Sequence, residues 1–163
     1  MTDPRLGDGL QAAVRKLPAE SGVVFRHYQL ATNERLVLFQ QIQRICRRRG
    51  HILVLAGADD WGAVGVHGQK PSRPTQILTM PVHSLREIRS AQKLGADLMF
   101  LSPVRATRSH PGARALGIIQ FSRLARLAGT TKVIALGGMT RNKAQMVTKH
   151  IAYGWAGIDA FMR

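Results

Sequence analysis

The sequence predicts an α/β fold with parallel strands, and three observations carry that prediction. Short apolar runs, nearly continuous in hydrophobicity and often β-branched, alternate with amphipathic stretches from end to end. The joints between them are short and marked by glycine, as right-handed βαβ units require. The strand-to-strand period is roughly 20–30 residues, which suits a (β/α) barrel or a doubly wound sheet. At 163 residues the chain reads as one domain, 1–163, long enough to bury roughly two-thirds of its unfolded surface.

Strands are expected at 23–28, 52–56, 64–67, 76–80, 97–102, 132–136 and 156–161. Between the first two, "ERLVLFQQIQRICRRR" places Leu38, Ile42, Ile45 and Cys46 on one helical face. Its basic last turn, 47–49, complements the helix dipole before Gly50 ends the helix. "HSLREIRSAQKLGAD" opens with a capping box, Ser84 and Glu87, and stops at Gly95. "GIIQFSRLARLAG" spaces Ile118, Phe121, Leu124 and Leu127 for one helical face. "TRNKAQMVTKHIAYG" starts at Thr140 and finishes at Gly154. The joint 70–75, "KPSRPT", is Pro/Ser-rich and is expected to cover an edge or rim.

Charge is the unusual feature. Lys+Arg number 24 against 9 Asp+Glu, a net charge of +15, and from Leu98 onward Asp159 is the only acid. Such a field favours phosphate-bearing ligands, nucleic acid or an anionic surface, although solvated arginines alone explain part of it. Aromatics at 6%, with no basic-aromatic interleaving, weigh against nucleic acid. Cys46 is the only cysteine, which excludes a disulfide framework and reads as a buried thiol. No basic-then-apolar leader opens the chain and no apolar run reaches the ~20 residues of a membrane span. The reading is a soluble, cytoplasmic protein.

In parallel α/β folds ligands sit beyond the C-terminal strand ends. "KVIALGGMT" ends a strand in Gly137 and Gly138 and then opens a helix, and Gly157 holds a comparable place on the final strand. Such turns let backbone N–H groups approach a phosphate, or simply clear the rim. "LMFLSPVRATRSHPGARALG" passes from strand to a loop without acids. Thr107, Ser109 and His110 supply donors there, and Arg105, Arg108 and Arg114 supply charge. Pro111 and Gly112 could hinge that loop as a lid. Arg26 lies within the apolar "VVFRHY", where a charge must be paired or face a ligand. His67 and His83 read as satisfied rim histidines, and adjacent Asp59 and Asp60 as a helix start or a solvated pair.

The order "VVFRHY", "VGVHGQ", "VHSLREIRSAQKLGADLMFLSPVRATRSH", "VIALGGMT" and "AGIDAF" resembles the thiamine phosphate synthase / thiazole tautomerase (TenI-like) superfamily. The resemblance covers most of the chain and is tightest from Val82 to Gly138. It implies a (β/α)8 barrel of TIM type and an enzyme, a transferase that joins hydroxymethylpyrimidine diphosphate to thiazole phosphate with Mg2+. Arg26 matches the arginine of the family's Gln-x-Arg-x-Lys strand, whose other positions are Val24 and Tyr28 here. Thr107, Arg108, Ser109 and His110 match its Thr-x-Thr-Lys loop, histidine replacing lysine. Gly137 and Gly138 match the phosphate turn, and Gly157 with Ile158 the last strand. The resemblance thus implies Arg26 and His110 as catalytic, and Thr107, Arg108, Ser109, Gly137, Gly138, Gly157 and Ile158 as substrate-binding.

The aspartates that hold Mg2+ in the family do not carry over. Ala56 and Gly57 stand at its Asn-Asp, and Lys70 and Pro71 near its second aspartate. Pro81 replaces a family serine, and Pro103 the tautomerase histidine. "MTDPR" resembles the close of the family's first strand, and the chain ends after its last strand, so the barrel is expected to be incomplete. An exposed parallel edge would favour a homo-oligomer. The leading reading is a synthase-like protein or its divergent descendant. A non-catalytic phosphate-ligand binder or tautomerase-like protein is the alternative, and a basic nucleic-acid binder the third.

Overall fold

The computed structural model describes residues 1–107, Gly112, 114–148 and 151–161. Two compact units are distinguished: Met1–Ile77 with Phe161, and Leu78–Ala160. Neighbouring strands follow chain order in both units, and their ladders are parallel. Among the described residues no helix is long and apolar enough to cross a membrane.

In the first unit, α1 (Leu10–Lys16), β1 (Gly22–Phe25), α2 (Thr32–Arg49), β2 (Ile52–Ala56) and β3 (Gly65–His67) surround one apolar core. Phe25, Phe39, Ile42 and Leu55 are fully buried in it, and the rings of Phe25 and Phe39 meet edge to face at 5.6 Å. The expected face of α2 is the buried one, and Gly50, at φ 67°, ends the helix. Cys46 is buried, and burial pushes its thiol up to about 11, so it is a packing residue.

Two differences from the sequence reading have local causes. Residues 4–16 form a 3-10 turn, Pro4–Gly9, and then α1. Only Leu10 and Val14 are buried there, too few to show a period over two turns. β1 stops at Phe25 instead of residue 28 because His27 takes φ 39°, outside the extended region. Ahead of the turn, the Thr2 N–H donates to the Val24 carbonyl at 2.8 Å, so the first residues run beside β1.

The second unit contains β4 (Ile77–Val82, from Leu78 onward), α3 (Leu85–Lys93), β5 (Leu98–Leu101), α4 (Gly117–Leu127), β6 (Lys132–Ala135), α5 (Arg141–Thr148) and β7 (Gly154–Trp155). Ser84 caps α3 by accepting the Glu87 N–H at 3.3 Å. The Glu87 carboxylate returns to the His83 N–H, one residue earlier than a standard capping box. The Leu78 N–H donates to Asp97 at 2.8 Å, tying the α3–β5 joint to β4.

The last strand is a correction. It lies at Gly154–Trp155, paired with Ile134 and Ala135, and 156–161 is not a strand. Asp159–Phe161 instead forms a 3-10 turn. Gly154 admits the side chain of Ile134, whose Cδ1 lies 3.2 Å from where a Cβ would stand. Gly157 and Asp159, both turn-favouring, follow at once.

Candidate anion-binding site

The first unit builds a basic rim past the ends of β1, β2 and β3. Its organiser is Arg35, in the first turns of α2 and 5% exposed. The guanidinium donates to Asp59 Oδ2 at 2.6 Å, to the Arg26 carbonyl at 3.0 Å, and to the Ala56 carbonyl. Trp61, Tyr28 and Phe25 surround it, with ring centroids 4.9, 5.5 and 5.7 Å from Cζ. At Gly57, φ 100°, a Cβ would stand 3.3 Å from Arg35 Nη2. The turn after β2 is thus shaped around this guanidinium.

Arg26 is half-buried and differs from Arg35 in its partners. Its N–H donates to Thr2 Oγ1 at 2.9 Å, and its guanidinium lies 6.0 Å from the Tyr28 ring. Among the described residues that guanidinium has no ion pair: Asp3 is held by Arg5 at 2.8 Å and Asp59 by Arg35. Buried His27 stacks on Phe25 at 5.1 Å and bonds Thr2 Oγ1 through Nδ1 at 3.0 Å. Burial lowers the pKa of His27, with Asp3 opposing and Arg35 and Arg26 assisting. Buried His67, at the end of β3, is held down to about 4 by burial and then by Arg26. Both imidazoles are therefore neutral at pH 7, and the charge of the rim is that of Arg26.

In the second unit, the turn after β6 meets the loop after β5. The Val104 N–H donates to the Leu136 carbonyl at 2.9 Å, and the Arg105 N–H to the Gly137 carbonyl at 3.2 Å. Gly137 has φ 96° and a Cβ there would lie 2.7 Å from Pro103 Cα; at Gly138, φ 61°, it would lie 2.5 Å from the Ala106 carbonyl oxygen. Both glycines are demanded by this contact and by their φ. Gly157 is different. Its Cβ would make only ordinary contacts, the nearest Ala160 Cβ at 3.4 Å, so local packing does not require glycine there. Buried Ile158 follows it. Nearby, His83 Nδ1–H donates to the Ser102 carbonyl at 2.8 Å, which fixes the proton on that nitrogen.

The structure brings Gly137 and Gly138 together with the start of the 103–107 loop, and Thr107 is half-buried at its end. Arg108, Ser109, His110 and the Pro111 half of the hinge lie outside the described residues. Arg26 belongs to the first unit and the glycines to the second. The sequence reading missed Arg35, because one arginine in an amphipathic helix reads as solvated. It also misjudged Asp59, which is the partner of Arg35 and no helix start; Asp60 instead takes Arg73 at 3.1 Å and the Ser72 hydroxyl. The run "ADDW" beside a strand end was the available signal, an acid and an indole able to receive a cation. In the 70–75 joint, Arg73 also donates to the Ala63 carbonyl at 3.2 Å.

Parallel strands in chain order, with helices between them, define an α/β protein of the barrel class. The thiamine monophosphate synthase family matches residues 5–161, and the chain belongs to it. A protein of Aquifex aeolicus (strain VF5) that carries a thiamine-phosphate synthase name is 38% identical over 93 residues, 57% of this chain and 50% of that protein. The thiamine-phosphate synthase of Geobacillus thermodenitrificans (strain NG80-2) is 31% identical over 149 residues, 80% of this chain and 66% of that one. The chain therefore spans half to about two-thirds of the length of these relatives. The structure of a thiamine phosphate pyrophosphorylase from Pyrococcus furiosus superposes with a TM-score of 0.81 at 23% identity, covering 98% of this chain and 84% of that one. That likeness shows the fold class, the (β/α)8-barrel type, here with seven strands among the described residues.

Removing Asp59 leaves Arg35 buried without its counter-charge. Asp59→Ala should lower unfolding free energy by about 2 kcal/mol in urea titrations, less than for a dry pair because Asp59 is partly exposed. His67 gives a pH signature. An unfolded imidazole titrates near 6.5, whereas the folded one resists protonation down to about 4. The stability it contributes is full above pH 6.5 and is lost as pH falls to 4, by up to about 3 kcal/mol. A His67→Asn variant should show a flatter decline over that window in thermal melts, and an unchanged decline would refute the assignment.

Proposed function

We propose that residues 1–163 work as one domain that handles phosphorylated thiamine precursors, joining hydroxymethylpyrimidine diphosphate to thiazole phosphate. The observation that carries this reading is Arg26, a half-buried guanidinium with no ion pair among the described residues, at the end of β1. Family membership supplies the substrate class. In the reaction the bond between the pyrimidine methylene and the diphosphate oxygen breaks, and pyrophosphate takes the electron pair. The thiazole nitrogen then donates its lone pair to the pyrimidine cation, forming the C–N bond and a thiazolium. Negative charge grows on the departing oxygen, and a preorganised cation lowers that barrier most.

Arg26 is assigned that role; by the resemblance, His110 is assigned to catalysis and Thr107, Arg108 and Ser109 to substrate binding. Gly137, Gly138, Gly157 and Ile158 are assigned to the thiazole phosphate end. The family is usually Mg2+-dependent, but the donor set here does not fit a carboxylate-held divalent ion. Asp59 is committed to Arg35 and Asp60 to Arg73, and Arg35 itself stands against Gly57, where the resemblance places a family aspartate. Among the described residues no group of three His, Cys, Asp or Glu side chains could hold a metal ion. The second reading is a binder that retains the anion rim without turnover.

The test supplies both precursors and follows thiamine phosphate by chromatography. Arg26→Ala should reduce kcat/KM by about 10²–10³-fold. Gly157→Ala should raise KM for thiazole phosphate without lowering the melting temperature, since the methyl fits but stands where the phosphate would approach. Saturable binding of thiazole phosphate without product would establish the binder instead. No binding at millimolar ligand would end both readings.

A further inference from the structure

A second basic site lies at the other end of the first unit. α1 and α2 are bridged by Gln11 Nε2 donating to Gln41 Oε1 at 3.0 Å, and a groove of about 380 Å3 runs between the helices. Arg15 of α1 and Arg44, Arg48 and Arg49 of α2 line it over Ile45, and no Asp or Glu does. α2 reaches β2 through Gly50 and His51, so these arginines gather by the strand starts, whereas Arg26 and Arg35 stand past the strand ends.

A basic final turn commonly answers the helix dipole, but that explanation covers little here. Two carbonyls of the last turn of α2 have backbone donors: the Gly50 N–H donates to the Arg47 carbonyl, and the His51 N–H to the Cys46 carbonyl at 2.8 Å. Arg15 comes from another helix, and Arg44 and Arg48 stand one turn apart as a repulsive i,i+4 pair. The hydrogen bonds these side chains make go to neutral acceptors. Arg15 donates to Gln11 Oε1 and Arg49 to the Leu17 carbonyl, both at 3.4 Å. Guanidiniums are thereby oriented without being neutralised.

We propose that this groove binds a compact polyphosphate chain, inorganic or the tail of a nucleotide. Planar, permanently charged guanidiniums present paired donors suited to successive phosphate oxygens. The volume is that of a small-ligand pocket. No aromatic residue lines the groove, so it lacks the stacking platform of a single-strand nucleic-acid site.

Calorimetric titration at fixed ionic strength with inorganic tripolyphosphate, and separately with ATP, tests the proposal. Saturable binding of either is expected, and the tighter of the two identifies the source. In an Arg26→Ala background, which removes the rim site, Arg44→Gln/Arg48→Gln should weaken it at least tenfold with the melting temperature kept, while the α3 control Arg86→Gln/Arg89→Gln leaves it within twofold. Absence of binding at millimolar ligand in that background overturns the proposal. So does equal loss in the α3 control. Binding of oligonucleotides that tightens with length, without tripolyphosphate binding, overturns it in favour of nucleic acid.

Discussion

A guanidinium withdrawn from water must be neutralised and fully hydrogen-bonded, or its desolvation opposes folding. Arg35 is neutralised by the Asp59 carboxylate, and each of its three nitrogens has an acceptor, from three segments: the Asp59 carboxylate, the Arg26 carbonyl and the Ala56 carbonyl. The end of β1, the end of β2 and the following loop are fixed by one side chain. Trp61, Phe25 and Tyr28 close around its faces, extending the apolar core of Phe39 and Leu55 to the rim. Because Asp59 is consumed in this pair, it does not neutralise Arg26 next door.

The same guanidinium shapes the turn after β2, where Gly57 admits it and a Cβ would stand 3.3 Å from Arg35 Nη2. Neutral His27 and His67 fit this arrangement, since burial and the neighbouring guanidinium suppress their protonation. The rim concentrates charge in one group that cannot titrate away near neutrality.

Much of the fold was legible in the sequence because β/α alternation is written in local periodicity. β2 falls at the expected residues, α3 to α5 lie within the helical stretches marked out in the sequence, and α2 starts two residues before its stretch and ends with it at Gly50. What escaped was decided by tertiary partners. Arg35 looks like any helix arginine until Asp59 and two carbonyls surround it. Gly137 and Gly138 were recognised as a rim turn, yet their need for glycine comes from Pro103 and Ala106, a contact no linear pattern announces. β7 was misplaced because a two-residue strand carries no period, and the turn at Asp159 lies inside an apolar run. Arg26 stands out in the sequence as a charge among apolar residues, but that its neighbouring acids are taken by Arg35 and Arg5 is visible only in the fold.

The central claim is that Arg26 is a preorganised anion-binding cation. Phosphorus NMR titration with pyrophosphate, in an Arg44→Gln/Arg48→Gln background that silences the helical groove, tests it most directly. The account predicts a saturable shift of the phosphorus resonance that Arg26→Ala abolishes. The same saturable shift persisting in Arg26→Ala would contradict it.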